Sequence, residues 1–141
     1  MMTRMIGRPF LIAGIVLVAG ASAFAQDAIL ERQAKGQAGR DIRIAVFASI
    51  KPDCTAGQLP SVRLKQPPAN GTVTVKQGRM RTTNFKQCLA VEVPAFIAFY
   101  RSAPGFSGQD SVLIEVVSAE GKTQLQRYTV TVEKPAVGQG I

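Results

Sequence analysis

The chain has no histidine and no tryptophan, and only two of its 141 residues are cysteine. Without histidine there is no imidazole to act as general base, so Ser-His-Asp and Cys-His hydrolytic arrangements are excluded, along with the commonest metal ligand. The two cysteines, Cys54 and Cys88, are not in Cys-x-x-Cys spacing. That argues against a dithiol redox motif and against a zinc site. Aromatic residues make up 6% of the chain, too few to build a sugar-binding platform. Acidic residues are outnumbered 9 to 17 by basic ones. The carboxylates Asp41, Asp53, Glu92, Asp110, Glu115, Glu120 and Glu133 show no spacing that suggests a glycosidase pair. Gly105-Phe-Ser-Gly-Gln109 superficially suggests a nucleophile elbow, but its second glycine comes one residue too early. No long helical period and no internal repeat is visible. These absences argue against an enzyme, though a Ser-Lys arrangement is not excluded, and neither a metal nor a cofactor is expected.

What is present begins with a leader. Arg4 and Arg8 precede the apolar run Phe10–Gly20, and Ala23-Phe-Ala25 offers a small-x-small cleavage site. The run is shorter than the roughly 20 residues needed to span a bilayer, so residues 1–25 read as a signal peptide. No cysteine follows the run, which argues against a lipidated N-terminus, and no second apolar segment follows. Cleavage after Ala25 leaves 116 of the 141 residues, and loss of Arg4 and Arg8 lowers the net charge from +8 to +6. The chain is therefore expected to be exported, either periplasmic or secreted, with no transmembrane segment after cleavage. Residues 26–40 read as a flexible leader, loosely held or extended, and 135–141 as a flexible tail.

Between them, residues 41–134 alternate with the two-residue period of β-strands. Ile42, Ile44, Val46 and Ala48 share one face, and Val62 with Leu64 another. Val73 and Val75 precede Gln77-Gly78, which reads as a hairpin turn before a returning strand at Arg79–Thr83. Pro94 interrupts a long apolar segment and so belongs at an edge, a bulge or the start of a strand. Val112, Ile114 and Val116 alternate, with Leu113 and Val117 apolar on the other face, which places that strand centrally. Leu125 is out of register with Tyr128 and Val130, suggesting a bulge near Gln126 or Arg127. The expected fold is an all-β antiparallel sandwich of about seven strands. Its expected core is Ile44, Val46, Val62, Leu64, Val73, Val75, Phe99, Val112, Ile114, Val116, Tyr128 and Val130.

One stretch carries a family resemblance. Phe99-Tyr100, Pro104-Gly105, Phe106-Ser107-Gly108 and Asp110, followed by an alternating strand, resemble the signature of bacterial immunoglobulin-like and cadherin-like extracellular modules. Pro68-Ala-Asn-Gly-Thr-Val73 is similar to the turn that precedes it in such modules. The likeness runs from about Asp41 to Glu133. It implies an Ig-like sandwich in which Tyr100, Gly105, Phe106, Gly108 and Asp110 are structural, with Asp110 accepting backbone hydrogen bonds in its turn. The chain departs from true cadherins in showing a single module and no Asp-rich calcium linkers.

In an exported chain with no third cysteine, Cys54 and Cys88 are expected to form one disulfide. Arg63, Lys65, Lys76, Arg79 and Arg81 fall on the solvent side of successive strands and would form one anion-binding patch if those strands are neighbours. Aromatics to stack bases are missing around them, so nucleic acid is disfavoured as a partner. Asn70-Gly-Thr72 matches a glycosylation sequon, but if the host is bacterial, as the resemblance implies, a turn is reading enough. The functional expectation is a non-catalytic module binding a protein or a cell-envelope component. The alternative is a binder of anionic envelope polymers, glycan or lipopolysaccharide, through the basic residues.

Overall fold

The structure, a computed structural model, describes residues 28–135 together with residues 7, 14–17 and 20. The signal peptide expected over 1–25 and the tail expected over 135–141 fall almost wholly outside the described residues.

Seven strands form: β1 (Ile29–Gln37), β2 (Ile42–Phe47), β3 (Ser61–Gln66), β4 (Gly71–Phe85), β5 (Cys88–Ser102), β6 (Gly108–Val117) and β7 (Thr123–Glu133). No helix forms among the described residues. The strands make two sheets, ordered β1-β7-β6-β3 and β2-β5-β4. Both sheets contribute to a common core. Val112, Ile114, Tyr128, Val130 and Val132 come from the first, and Ile42, Ile44, Ala45, Phe47, Ala98 and Tyr100 from the second. β6 lies inside its sheet between β7 and β3, which matches its apolar residues on both faces.

Residues 29–37, expected within a loose leader, are instead an ordered edge strand. β1 pairs with β7 in parallel, so the assembly is not purely antiparallel. Its sequence hides this because β1 is held chiefly by its backbone ladder to β7, with only the small residues Ala34 and Gly36 packed inward and exposed ion pairs on its outer side. Glu31 meets Arg127 at 2.8 Å and Lys35 meets Glu133 at 3.0 Å.

The core differs from expectation where alternation slips. In β2 the register shifts between Arg43 and Ala45, making Ile44 an extra residue. Beyond this bulge the inward side changes, so Phe47 is buried and Val46 only half-buried. Phe99 is also outside the core. Its neighbour Tyr100 is fully buried, which puts Phe99 on the outer face beneath Lys76, whose Nζ is 5.5 Å from the ring centroid. Leu64 and Val75 are exposed because β3 and β4 are edge strands with no further neighbour to cover them. Leu125 needs no bulge: β6 and β7 pair without a shift, and Leu125 lies on the outer face opposite Ile29.

Gln77-Gly78 is not a turn. The two strands read on either side of it are one strand, β4, and the chain reverses at Lys86-Gln87. Gly78 instead permits close approach, since a Cβ there would lie 2.9 Å from Ile97 Cδ1. Pro94 sits in β5 opposite Arg79, beyond the point where β2 stops pairing at Phe96. β5 has only one partner strand there, so the missing N–H costs no bond to β2.

Candidate functional site

The resemblance motif converges on one buried carboxylate. Tyr100 ends the core-facing run of β5, and Asp110 begins that of β6. Asp110 Oδ1 accepts from the backbone N–H groups of Ala69 at 3.0 Å and Ser111 at 2.9 Å. Its Oδ2 accepts from Asn70 N–H at 2.9 Å and from the Tyr100 hydroxyl at 2.8 Å. A carboxylate offers about four acceptor positions, and these bonds use them all. Asp110 therefore staples the 69–70 turn, forty residues away, onto β6. The sequence reading placed its bonds in its own turn. Both motif halves were visible, but not that one clasps the other.

Burial pushes the Asp110 carboxyl up, but the bonds from Tyr100, Asn70, Ser111 and Ala69 outweigh it and hold the group below its ordinary range. Burial first, and then Asp110, push the Tyr100 phenol well above its own. Gly105 and Gly108, at φ 79° and 132°, make the turn between the two strands, and Phe106 packs against the core. Gly71 passes against the same tyrosine. A Cβ there would lie 2.6 Å from the Arg101 carbonyl oxygen and 2.7 Å from the Tyr100 ring. Gly71→Ala is expected to cost about 2 kcal/mol through overpacking, measured as a lower urea midpoint at unchanged m-value.

The five basic residues do not lie on hydrogen-bonded neighbouring strands. Arg63 and Lys65 lie on β3 in one sheet, while Lys76, Arg79 and Arg81 lie on β4 in the other. Three of the five are ion-paired: Lys65 with Glu115 at 3.5 Å, and Arg79 and Arg81 with Glu92 at 2.9 and 3.2 Å. Glu92 is held below the usual carboxylate range, first by the Arg79 hydrogen bond and then by the Arg81 charge. Consecutive strands in a two-sheet fold can belong to different sheets, which alternation alone does not reveal.

The feature that sequence reading missed is an arm. β4 and β5 are each 15 residues long, whereas β2 covers β5 only from Phe96 to Tyr100. The remainder of the hairpin overhangs the shared core. Along it the buried face reverses: Ala98 and Tyr100 point to the main core, but Val91, Val93 and Ala95 are the buried positions further out. The β4–β5 pairing stays in register through this change. The arm therefore buries the opposite face, against a second cluster made of Val91, Val93 and Met80 with Ala48, Ile50 and the two cysteines. The 48–57 loop supplies that cover, and the Cys54–Cys88 disulfide, with Cα atoms 5.6 Å apart, pins it down.

The arm tip is conformationally unusual. The three non-glycine residues with positive φ among those described are Cys54 (68°), Asn84 (53°) and Lys86 (52°), all at this end. Such conformations cost energy and tend to be retained where function demands them. The ladder runs through Thr83↔Ala90 and Phe85↔Cys88 in one register. At its end Cys88 faces inward to its partner and Leu89 is turned outward, 83% exposed.

Among the described residues no three of His, Cys, Asp and Glu converge as a metal site, and no helix is long and apolar enough to cross a membrane. Comparison with known proteins found no matching family model, no matching curated protein and no matching solved structure.

Proposed function

We propose that this chain is an exported, non-catalytic Ig-like module that binds a protein or another cell-envelope component, with the disulfide-braced β4–β5 arm as its contact element. The observation that carries the reading is the arm itself. It overhangs the main core, it is braced by its own small cluster and a covalent link, and it ends in exposed apolar side chains. Preorganisation of this kind lowers the ordering cost of binding. Non-catalysis is supported by Asp110, the most buried carboxylate, whose acceptor positions are consumed by structural donors.

Ig-like architecture is supported by strand order. In such folds the second, fifth and fourth strands share one sheet and the third, sixth and seventh the other. Here the orders are β2-β5-β4 and β7-β6-β3, with β1 placed beside β7. Export is supported by the disulfide and by the leader sequence.

A photo-crosslinker at position 89, presented to isolated cell-envelope material with the disulfide intact, should give adducts. The same group at position 40, in the β1–β2 turn at the far end, should give none. Adducts from 40 and not from 89 would remove the arm from the reading. The alternative partner, an anionic envelope polymer held by Arg63, Lys65, Lys76, Arg79 and Arg81, is supported by the net charge of +6 left after loss of Arg4 and Arg8 from the +8 of the whole chain. Binding that collapses on Arg79→Glu/Arg81→Glu while surviving Leu89→Ser would select it.

A further inference from the structure

Resting on the reading of the arm as the contact element, we infer that its partner is the surface of a phospholipid bilayer carrying anionic headgroups. The tip carries apolar side chains and cations around one turn, with Phe85 on the face of its ladder partner Cys88 and Leu89 on the face turned out to solvent. Leu89 is 83% exposed and Phe85 is 37% exposed, on either side of the Lys86-Gln87 turn. Lys86 Nζ stands 5.5 Å from the Phe85 ring centroid. Lys51 comes from the pinned loop, joined to the tip where Gln87 Nε2 donates to the Pro52 carbonyl at 2.6 Å, and it lines the same small cleft as Phe85 and Lys86.

Across the loop (48–57) and the arm (78–95), four cations (Lys51, Arg79, Arg81, Lys86) face two anions (Asp53, Glu92), a balance of +2. Asp53, held below its ordinary range first by the Thr55 hydrogen bonds, stays an anion beside Lys51 and is counted in that balance. Apolar groups flanked by lysine match an interface with an acyl interior and an anionic surface. The tip matches a protein partner or a second copy less well. A stable protein interface takes roughly 800 Å² from each side, and two protruding side chains provide a small part of that. A bilayer needs no complementary pocket. Leu89 is turned out to solvent beside the inward-facing Cys88, whose disulfide fixes the strand at that point.

The test uses residues 26–141, which contain all seven strands and both cysteines, with the disulfide formed. The chain should sediment with phosphatidylglycerol-containing vesicles and not with pure phosphatidylcholine. Leu89→Ser, and separately Lys51→Glu/Lys86→Glu, should each lower the partition coefficient by about tenfold or more without moving the melting temperature. Because the chain has no tryptophan, Leu89→Trp supplies a single reporter. Its emission should shift to the blue on anionic vesicles, and that of Arg40→Trp should not. Equal binding to both lipids, wild-type binding by Leu89→Ser, or an unshifted Leu89→Trp would overturn the inference. So would concentration-dependent dimerisation abolished by Leu89→Ser in place of vesicle binding. If position 89 crosslinks an envelope protein while vesicles are not bound, the lipid assignment fails and the arm remains the contact element.

Discussion

Asp110→Asn should destabilise the fold by about 3 kcal/mol, because at least two buried donors lose their acceptor at about 1–3 kcal/mol each. For a domain of this size that lowers the melting temperature by on the order of 10 °C. Asparagine keeps the shape but offers one carbonyl oxygen where two carboxylate oxygens served Ala69, Asn70, Ser111 and Tyr100. Its amide N–H2 would face donors. Tyr100→Phe removes only one of the four bonds and should cost about half as much. The order of the two variants is as informative as their size.

The pH dependence has a definite sign. The Asp110 carboxyl is held below its ordinary range in the folded chain. Its contribution is complete above about pH 4, where the unfolded carboxyl is ionised, and is lost as pH falls through the lower folded value. Stability curves of wild type and Asp110→Asn should therefore differ most near neutrality and converge in acid. A constant difference down to the lowest pH would mean that the carboxylate charge is not what holds the turn.

Removing the disulfide should have an effect of similar size in a different place. Cys54 and Cys88 are separated by 34 residues, and closing that loop is worth about 4 kcal/mol in the chain-entropy model. Cys54→Ser/Cys88→Ser should lower the urea midpoint accordingly. Amide exchange should show faster opening in the 48–57 loop and the outer arm than in β6 and β7. The second cluster has only the loop as cover, whereas Val112 and Val130 are covered by the other sheet. Uniform loss of protection over both regions would contradict the division of the molecule into a core and a braced arm.

How far the fold was legible follows from the regularity of each ladder. Val112, Ile114, Tyr128 and Val130 could be placed by alternation because β6 and β7 pair without interruption. Val46 and Phe47 could not, because a bulge at Ile44 is a matter of pairing with β5 and leaves no local mark. β1 was hidden for another reason: an edge strand whose side chains are mostly polar has no amphipathic pattern to read. The disulfide was legible from the number of cysteines and the leader. The arm it braces was not, since Gln77-Gly78 imitates a turn and the change of buried face between Ala95 and Ala98 follows from the 48–57 loop packing on the opposite side of the hairpin. Leu89 carries no mark in the sequence that separates it from the buried apolar residues Val91 and Val93.

The most direct measurement is amide hydrogen exchange on the oxidised chain, with and without isolated envelope membranes. The arm tip, residues 85–89, should gain protection, while the β1–β2 turn at 38–40 and the motif turn at 103–106 should not change. New protection confined to the far end, or none anywhere, would contradict the arm as the place where this molecule makes contact.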